Sequence, residues 1–323
     1  MDRPTFPPKR RTGTVAVHSL HRFCFSVPDL RPAVEFYAAF RLDVRESDGH
    51  LDLHTYGHPH RWGSIYRGSG PKRFEYVSFA ADEGDHAALV QRLDKLGIAR
   101  TRAHPLADGP GVWIRDADGN AVQLVVAAKT SPAAKSRGAI AAQPPGKGAA
   151  PSRSAAGTVH PRRLSHVLLF TPDVPRQIRF YTDVLGLRLS DQSGPVIAFL
   201  HGAHGSDHHM VAFAKSDGPG LHHSSWDVAC IDDVGLGMQH MIDRGHTRGW
   251  GVGRHVLGSN YFYYVRDPWG SFCEYSYDID FIGADVDWHA ADHPPEDSFY
   301  VWGPAVPDDF IVNHESASHQ AAA

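Results

Sequence analysis

LHRFCFSVPDLRPAVEFYAAF (20–40) and LSHVLLFTPDVPRQIRFYTDVLGL (164–187) carry one pattern twice: Pro28 meets Pro172 and Phe36-Tyr37 meets Phe180-Tyr181, each 144 residues further on. Each stretch opens on an apolar run, turns at a Pro-Asp pair and continues with aromatics on one helical face, which reads as strand, capped turn and helix. A second correspondence joins RFEYVSFAADE (73–83) to HSSWDVACIDD (223–233), followed in each case by a helix and a closing strand. RDADGNAVQLVV (115–126) introduces that last strand in one half and RDPWGSFCEYSY (266–277) in the other. The chain therefore reads as an internal duplication, with two strand–helix–strands units in each half.

Between the repeats, residues 128–160 hold Ala, Pro, Gly, Ser and basic residues but almost no large apolar side chain. Such a segment cannot bury enough surface to offset its ordering entropy and is expected to be a flexible linker. The expected division is a disordered N-terminal tail (1–14), an N-terminal domain (15–127), the linker (128–160), a C-terminal domain (161–290) and a C-terminal tail (291–323). In that tail, anchors such as Trp302 and Phe310 sit among prolines and acids, so it is expected to wrap over a domain.

Composition narrows the function. With 42% hydrophobic and 21% charged residues the chain is globular, and a net charge of −4 leaves no basic stripe for nucleic acid. No apolar run approaches the roughly 18 residues of a membrane span, and the first residues lack a signal-peptide core, so a cytoplasmic protein is expected. Cys24, Cys230 and Cys273 are too few and too scattered for a disulfide framework or a zinc ribbon. Histidine is the excess, at 23 residues, and imidazole is both a common metal ligand and a proton carrier near neutral pH.

Three residues in the C-terminal half fall at equivalent places in strands: His166 in LSHVLLF, His223 in LHHSSWDV and Glu274 in FCEYSY. Two imidazoles and a carboxylate on rigid strands form the facial triad that leaves positions open on non-haem Fe(II). Periodicity alone serves equally well for satisfied strand histidines and an exposed glutamate.

LSHV, DHHMVAF (207–213), GLHHSSWDV (220–228), GRH (253–255), the tyrosine of NYFYYV and the closing CEYSYD occur in an order that resembles the type I extradiol catechol dioxygenases of the vicinal oxygen chelate superfamily. From His223 it is 32 residues to His255, 41 to Tyr264 and 51 to Glu274, close to that family's spacing. The resemblance implies an α+β fold of four βαβββ modules paired into two vicinal-oxygen-chelate domains. It also implies Fe(II), with Mn(II) accommodated by the same ligands, a catechol-type substrate and O2 as reactants, no flavin or nicotinamide, and a homo-oligomer. His166, His223 and Glu274 match the family's metal ligands, the second histidine of LHH being chosen over His222. His209 matches the acid–base histidine, with His208 competing. His255 and Tyr264 match the residues that hydrogen-bond the substrate's ring oxygens, with Tyr261 and Tyr263 expected on the other strand face.

At the positions aligned with His166, His223 and Glu274, the N-terminal half carries Arg22, Arg73 and Gln123. Guanidiniums that stay protonated cannot hold a divalent cation, so that half is expected to be metal-free. His21 falls one residue out of register. HTYGHPHRWG (54–63) reads as a surface loop, the GxG strings at 249–253 as turns, and His204 and His208 as either mouth-lining or exposed. Two rivals remain at this stage. A 4-hydroxyphenylpyruvate-type dioxygenase shares the fold and ligand set but does not need His209, His255 and Tyr264, and a binding or resistance protein of the same fold needs no complete ligand set.

Overall fold

The computed structural model describes residues 10–138 and 143–316. Two mixed sheets carry the duplication. The first has seven strands in the order β2-β3-β4-β1-β5-β7-β6: β1 (Ser19–Val27), β2 (Asp43–Ser47), β3 (His50–His54), β4 (Gly63–Arg67), β5 (Arg73–Ala81), β6 (Val112–Arg115) and β7 (Ala121–Val126). Helix α1 (Arg31–Ala39) follows β1, and α2 (Glu83–Leu96) follows β5. In the second half, β8 (Arg163–Thr171), α3 (Val174–Leu185), β9 (Arg188–Ser193), β10 (Ile197–His201), β11 (Ser206–Asp207) and β12 (Val211–Lys215) precede β13 (Gly220–Asp227), α4 (Ile231–Asp243), β14 (Gly249–His255), β15 (Tyr261–Arg266) and β16 (Phe272–Tyr277). Last come β17 (Phe281–Ile282), β18 (Ala291–Asp292) and β19 (Tyr300–Trp302). Ten of these form the second sheet, ordered β18-β9-β10-β12-β8-β13-β16-β15-β14-β19, while β11 pairs with β17. The architecture is the expected α+β fold of βαβββ modules. The fourth module has β14 in full, where the second has only an isolated bridge, Thr101 to Trp113.

Local chemistry explains the repeated starts. Asp173 caps α3 by accepting a 3.0 Å hydrogen bond from Arg176 N, Pro175 occupies the first turn, and Gly186 ends the helix at φ 74°. In α1 the matching Asp29 sits one residue before the cap and accepts from Arg31 N instead. The two RD turns are built alike: Asp116 Oδ1 accepts from Asp118 N and Asn120 N, and Asp267 Oδ1 accepts from Trp269 N and Ser271 N. The glycine of each lies in the left-handed region, Gly119 at φ 87° and Gly270 at φ 102°.

One core runs through both halves. Phe40 stacks on Tyr275 at 3.9 Å between ring centroids, Tyr275 donates its hydroxyl to Phe40 O, and Phe23 meets Trp226 edge-on. Of the segment read as a disordered tail, residues 1–9 lie outside the described residues. Arg10 pairs with Asp85, and Arg11 with Asp287. In the segment read as a linker, residues 139–142 lie outside the described residues. Lys129 reaches His204 O at 2.6 Å, and the amides of Thr130 and Ser131 both donate to Ser19 Oγ. The C-terminal tail adds β18 and β19 to the two edges of the second sheet and buries Phe310; residues 317–323 lie outside the described residues. Among the described residues no helix is long and apolar enough to cross a membrane.

Candidate active site

Strands β8, β13 and β16 lie side by side in the second sheet, and their register pairs His166 with Ser225 and Ser225 with Glu274. Cross-strand partners face the same side. The small Ser225 therefore separates an imidazole from a carboxylate, and His223, two residues earlier on the same strand, closes the triangle. His166 Nε2 lies 3.2 Å from His223 Nε2 and 3.3 Å from Glu274 Oε2, and His223 Nε2 lies 3.7 Å from that oxygen.

The neighbours set which nitrogens carry protons. Ser165 donates its hydroxyl to Asp207, so it can only accept from His166 Nδ1–H, which leaves the His166 Nε2 lone pair in the triangle. His222 Nε2–H donates to Phe310 O at 2.8 Å, so neutral His222 accepts at Nδ1 from His223 Nδ1–H at 2.7 Å, and His223 Nε2 is a lone pair as well. Burial, and after it the neighbouring His222, His166 and His255, lowers the His223 pKa well below its ordinary value. Asn260 Nδ2 donates to Glu274 Oε1 at 3.0 Å, a hydrogen bond that favours the ionised carboxylate. Glu274 Oε2 is buried without a hydrogen-bond partner. Two imidazole lone pairs and an ionised oxygen converging at these distances repel one another unless a cation lies among them, so the donor set fits a divalent metal. Among the described residues this is the one His/Cys/Asp/Glu cluster with such geometry.

His209, His255 and Tyr264 line the same cavity, of about 210 Å³, as the triad. His255 Nδ1–H donates to Phe299 O, so its Nε2 accepts the Tyr264 hydroxyl at 2.9 Å. Burial, then the Glu274 charge, raises the Tyr264 pKa well above its ordinary value, which keeps that hydroxyl a donor. His209 packs its ring 4.0 Å from that of His166 and meets His208 through their Nδ1 atoms at 3.0 Å. His208 Nε2–H donates to Asp191 at 2.9 Å, so His208 Nδ1 accepts from His209 Nδ1–H and His209 Nε2 is left unprotonated. Apolar side chains complete the walls, among them Leu168, Phe199, Leu257, Phe299, Phe310 and Ile311.

Several sequence expectations change. His208 and His204 are both buried, not exposed; His204 lies away from the cavity, against Asp85 in the other half. Tyr263 faces the main core, on the side opposite Tyr264, as alternation requires, and Trp250 stands behind Tyr264 in a stacked pair. In HTYGHPHRWG, His58 is exposed but His54 is buried. The residue aligned with His223 is also corrected. Arg22 pairs with Ser78 and Ser78 with Gln123, so Ser78 stands where Ser225 does and Tyr76, not Arg73, where His223 does. The sequence alignment slipped by three residues: the halves are 144 residues apart at β1 and β8 but 147 apart at β5 and β13, because the chain between those strands differs in length. Sequence reasoning missed Asn260, which donates to Glu274 Oε1 at 3.0 Å, and Asp191 behind His208; neither carries a motif, since each contact joins distant segments.

The family model for the Glyoxalase/Bleomycin resistance protein/Dioxygenase superfamily matches residues 163–275. Metapyrocatechase 2 of Cupriavidus necator is 49% identical over 301 residues, covering 93% of this chain and 93% of that protein. Biphenyl-2,3-diol 1,2-dioxygenase of Paraburkholderia xenovorans is 31% identical over 50% of this chain and 51% of its own length. Homoprotocatechuate 2,3-dioxygenase from Arthrobacter globiformis superposes with a TM-score of 0.72 at 19% identity, over 96% of this chain and 95% of that one, a likeness of fold. Near-full-length similarity to a metapyrocatechase, together with this fold, establishes that the chain belongs to the extradiol dioxygenases of that superfamily.

Proposed function

We propose that the protein opens the ring of a catechol-type diol, with His166, His223 and Glu274 holding Fe(II), or Mn(II) in its place. The bond broken joins a hydroxyl-bearing carbon to the adjacent ring carbon that bears no hydroxyl. Both atoms of O2 enter a muconic-semialdehyde-type product, and the diol supplies the electrons, so no flavin or nicotinamide is required. The names of the relatives, a metapyrocatechase and a biphenyl-2,3-diol dioxygenase, favour a catechol as substrate. The observation that carries the reading is that all six residues, three with ligand chemistry and three with proton chemistry, border one apolar cavity.

When bound, the metal supplies Lewis acidity toward the diol oxygens and a path for electrons between diol and O2. His209 presents an unprotonated Nε2 that takes a proton from a substrate hydroxyl and returns it later. Tyr264 turns its hydroxyl from His255 Nε2 toward charge developing on a ring oxygen, and His255 donates there once its Nε2 has taken up a proton. Asn260 fixes the Glu274 carboxylate, and the apolar walls exclude water. We assign the metal-free role to 15–127 and catalysis to 161–290; a homo-oligomer and a cytoplasmic location belong to the same proposal on the family resemblance alone.

The test is anaerobic loading with Fe(II) or Mn(II), followed by oxygen uptake and absorbance with catechol, methylcatechols and 2,3-dihydroxybiphenyl. A yellow ring-fission product with equimolar O2 consumption is expected. Uptake with 4-hydroxyphenylpyruvate and none with any diol would move the assignment to an α-keto-acid dioxygenase. Binding without turnover would move it to a sequestering protein.

A further inference from the structure

His222 is the extra residue of a β-bulge: on β13, Leu221 pairs with Leu169 and His223 with Leu168, so His222 has no partner on β8. In a regular strand neighbouring side chains point to opposite faces; a bulge re-aims one of them. Here the two rings lie 4.9 Å apart and joined through their Nδ1 atoms, while the other nitrogen of His222 is occupied by Phe310 O, 88 residues away in the C-terminal tail. Phe310 also packs its ring on His222 and on Tyr264. Beyond Phe310 the tail is tied down again: Asn313 Nδ2 donates to Gly218 O, and Glu315 accepts from Leu221 N and Phe74 N.

We propose that His222 is a positioning residue that couples docking of the C-terminal tail (307–316) to metal binding at His223. This rests on His223 being a ligand. A docked tail places a carbonyl on His222 Nε2–H. That leaves His222 Nδ1 as an acceptor, holds the His223 proton on Nδ1, and keeps His223 Nε2 as a lone pair aimed at the metal. Partners behind a ligating histidine commonly tune metal affinity by about 10- to 100-fold. Coupling is reciprocal, so the factor by which the docked tail tightens the metal is the factor by which the metal stabilises the docked tail.

The experiment measures Mn(II) affinity from the free-ion EPR signal and amide hydrogen exchange of 307–316 with and without Mn(II), in the full chain. His222→Phe keeps an aromatic ring among Phe170, Phe272 and Phe310 but removes both hydrogen bonds. In wild type Mn(II) is expected to slow exchange in the tail; the variant is expected to weaken Mn(II) by about 10- to 100-fold and to lose that slowing. Asn313→Ala, which touches neither histidine, should speed tail exchange and weaken Mn(II) in the same direction by a smaller factor. The coupling is overturned if folded His222→Phe binds Mn(II) within twofold of wild type while Glu274→Ala does not bind it, or if Asn313→Ala frees the tail with Mn(II) affinity unchanged. If Glu274→Ala binds Mn(II) as wild type does, the ligand assignment falls and the coupling with it, a result distinct from the first two.

Discussion

Arg22, Tyr76 and Gln123 stand in the first sheet where His166, His223 and Glu274 stand in the second, and the backbone around them is nearly the same. Even the irregularities repeat: the bulge at His21 on β1 matches that at Ser165 on β8, and the bulge at Glu75 on β5 matches that at His222 on β13. The side chains use that backbone differently. Arg22 is spent on Asp108 at 3.0 Å and lies over the Tyr76 ring, and Ser78 donates to Gln123. In the second sheet the corresponding groups converge with lone pairs and a charged oxygen that no protein group satisfies. The scaffold provides the place, and on the proposal above three side chains decide whether it holds a metal.

The largest expected effect tests that asymmetry. Glu274→Ala should abolish stoichiometric metal, because two neutral imidazoles neither complete the triad nor balance its charge. Metal analysis giving one equivalent in that variant, or two per wild-type chain, would break the comparison.

His209→Asn or →Gln should retain metal and diol binding while kcat falls by about 10²-fold or more, since only the proton-transfer group is lost. His208→Gln should do less, but more than an ordinary loop substitution, because His208 joins His209 to Asp191. Stopped-flow turnover beside metal content separates the two, and a reversal of their order would exchange their roles. Tyr264→Phe comes next: with metal content unchanged, kcat should drop by roughly tenfold through loss of one hydrogen bond to developing charge. Loss of metal in that variant would show that the tyrosine serves the ligands.

In the first half the expected effects are on stability. Glu75 is the counterpart of His222 at the repeated bulge, and although burial pushes its carboxyl up, hydrogen bonds from His104, Arg73 and Ser26 hold it down at about 2. A depressed carboxyl stabilises the fold above its unfolded value, near 4.5, and loses that contribution as pH falls toward 2. The advantage of wild type over Glu75→Gln, on the order of 3 kcal/mol at neutral pH, should vanish across that window in urea titrations at stepped pH. An advantage that persists unchanged at the acid end would refute the assignment. Smallest of all, Gln123→Leu strips Ser78 of its acceptor and should cost about 1 kcal/mol with metal content untouched. A change in metal stoichiometry there would mean that the first sheet is not metal-free.

Much was legible in the chain because it is local or periodic. The duplicated strand, Pro-Asp turn and helix are written in contiguous residues, and so are the RD turns that launch the last strand of each half. The spacing from His223 through His255 and Tyr264 to Glu274 survives in sequence because consecutive antiparallel strands of fixed length carry the last three. The alignment of Arg73 with His223 failed because loop length between strands is free to drift while the register across them is not. Only hydrogen-bonded pairing identifies Tyr76.

What the sequence by itself determined is the duplicated architecture and the residue types able to bind a metal and move a proton, since periodicity and side-chain chemistry are properties of the chain. Which histidine of each adjacent pair keeps a free Nε2 in the site and which supports it was decided only by the tertiary structure. A histidine's tautomer follows from what its second nitrogen touches. For His208 that is Asp191, for His222 the Phe310 carbonyl, for His255 the Phe299 carbonyl, groups that lie 17, 88 and 44 residues away and meet these rings only when the sheet and tail have packed.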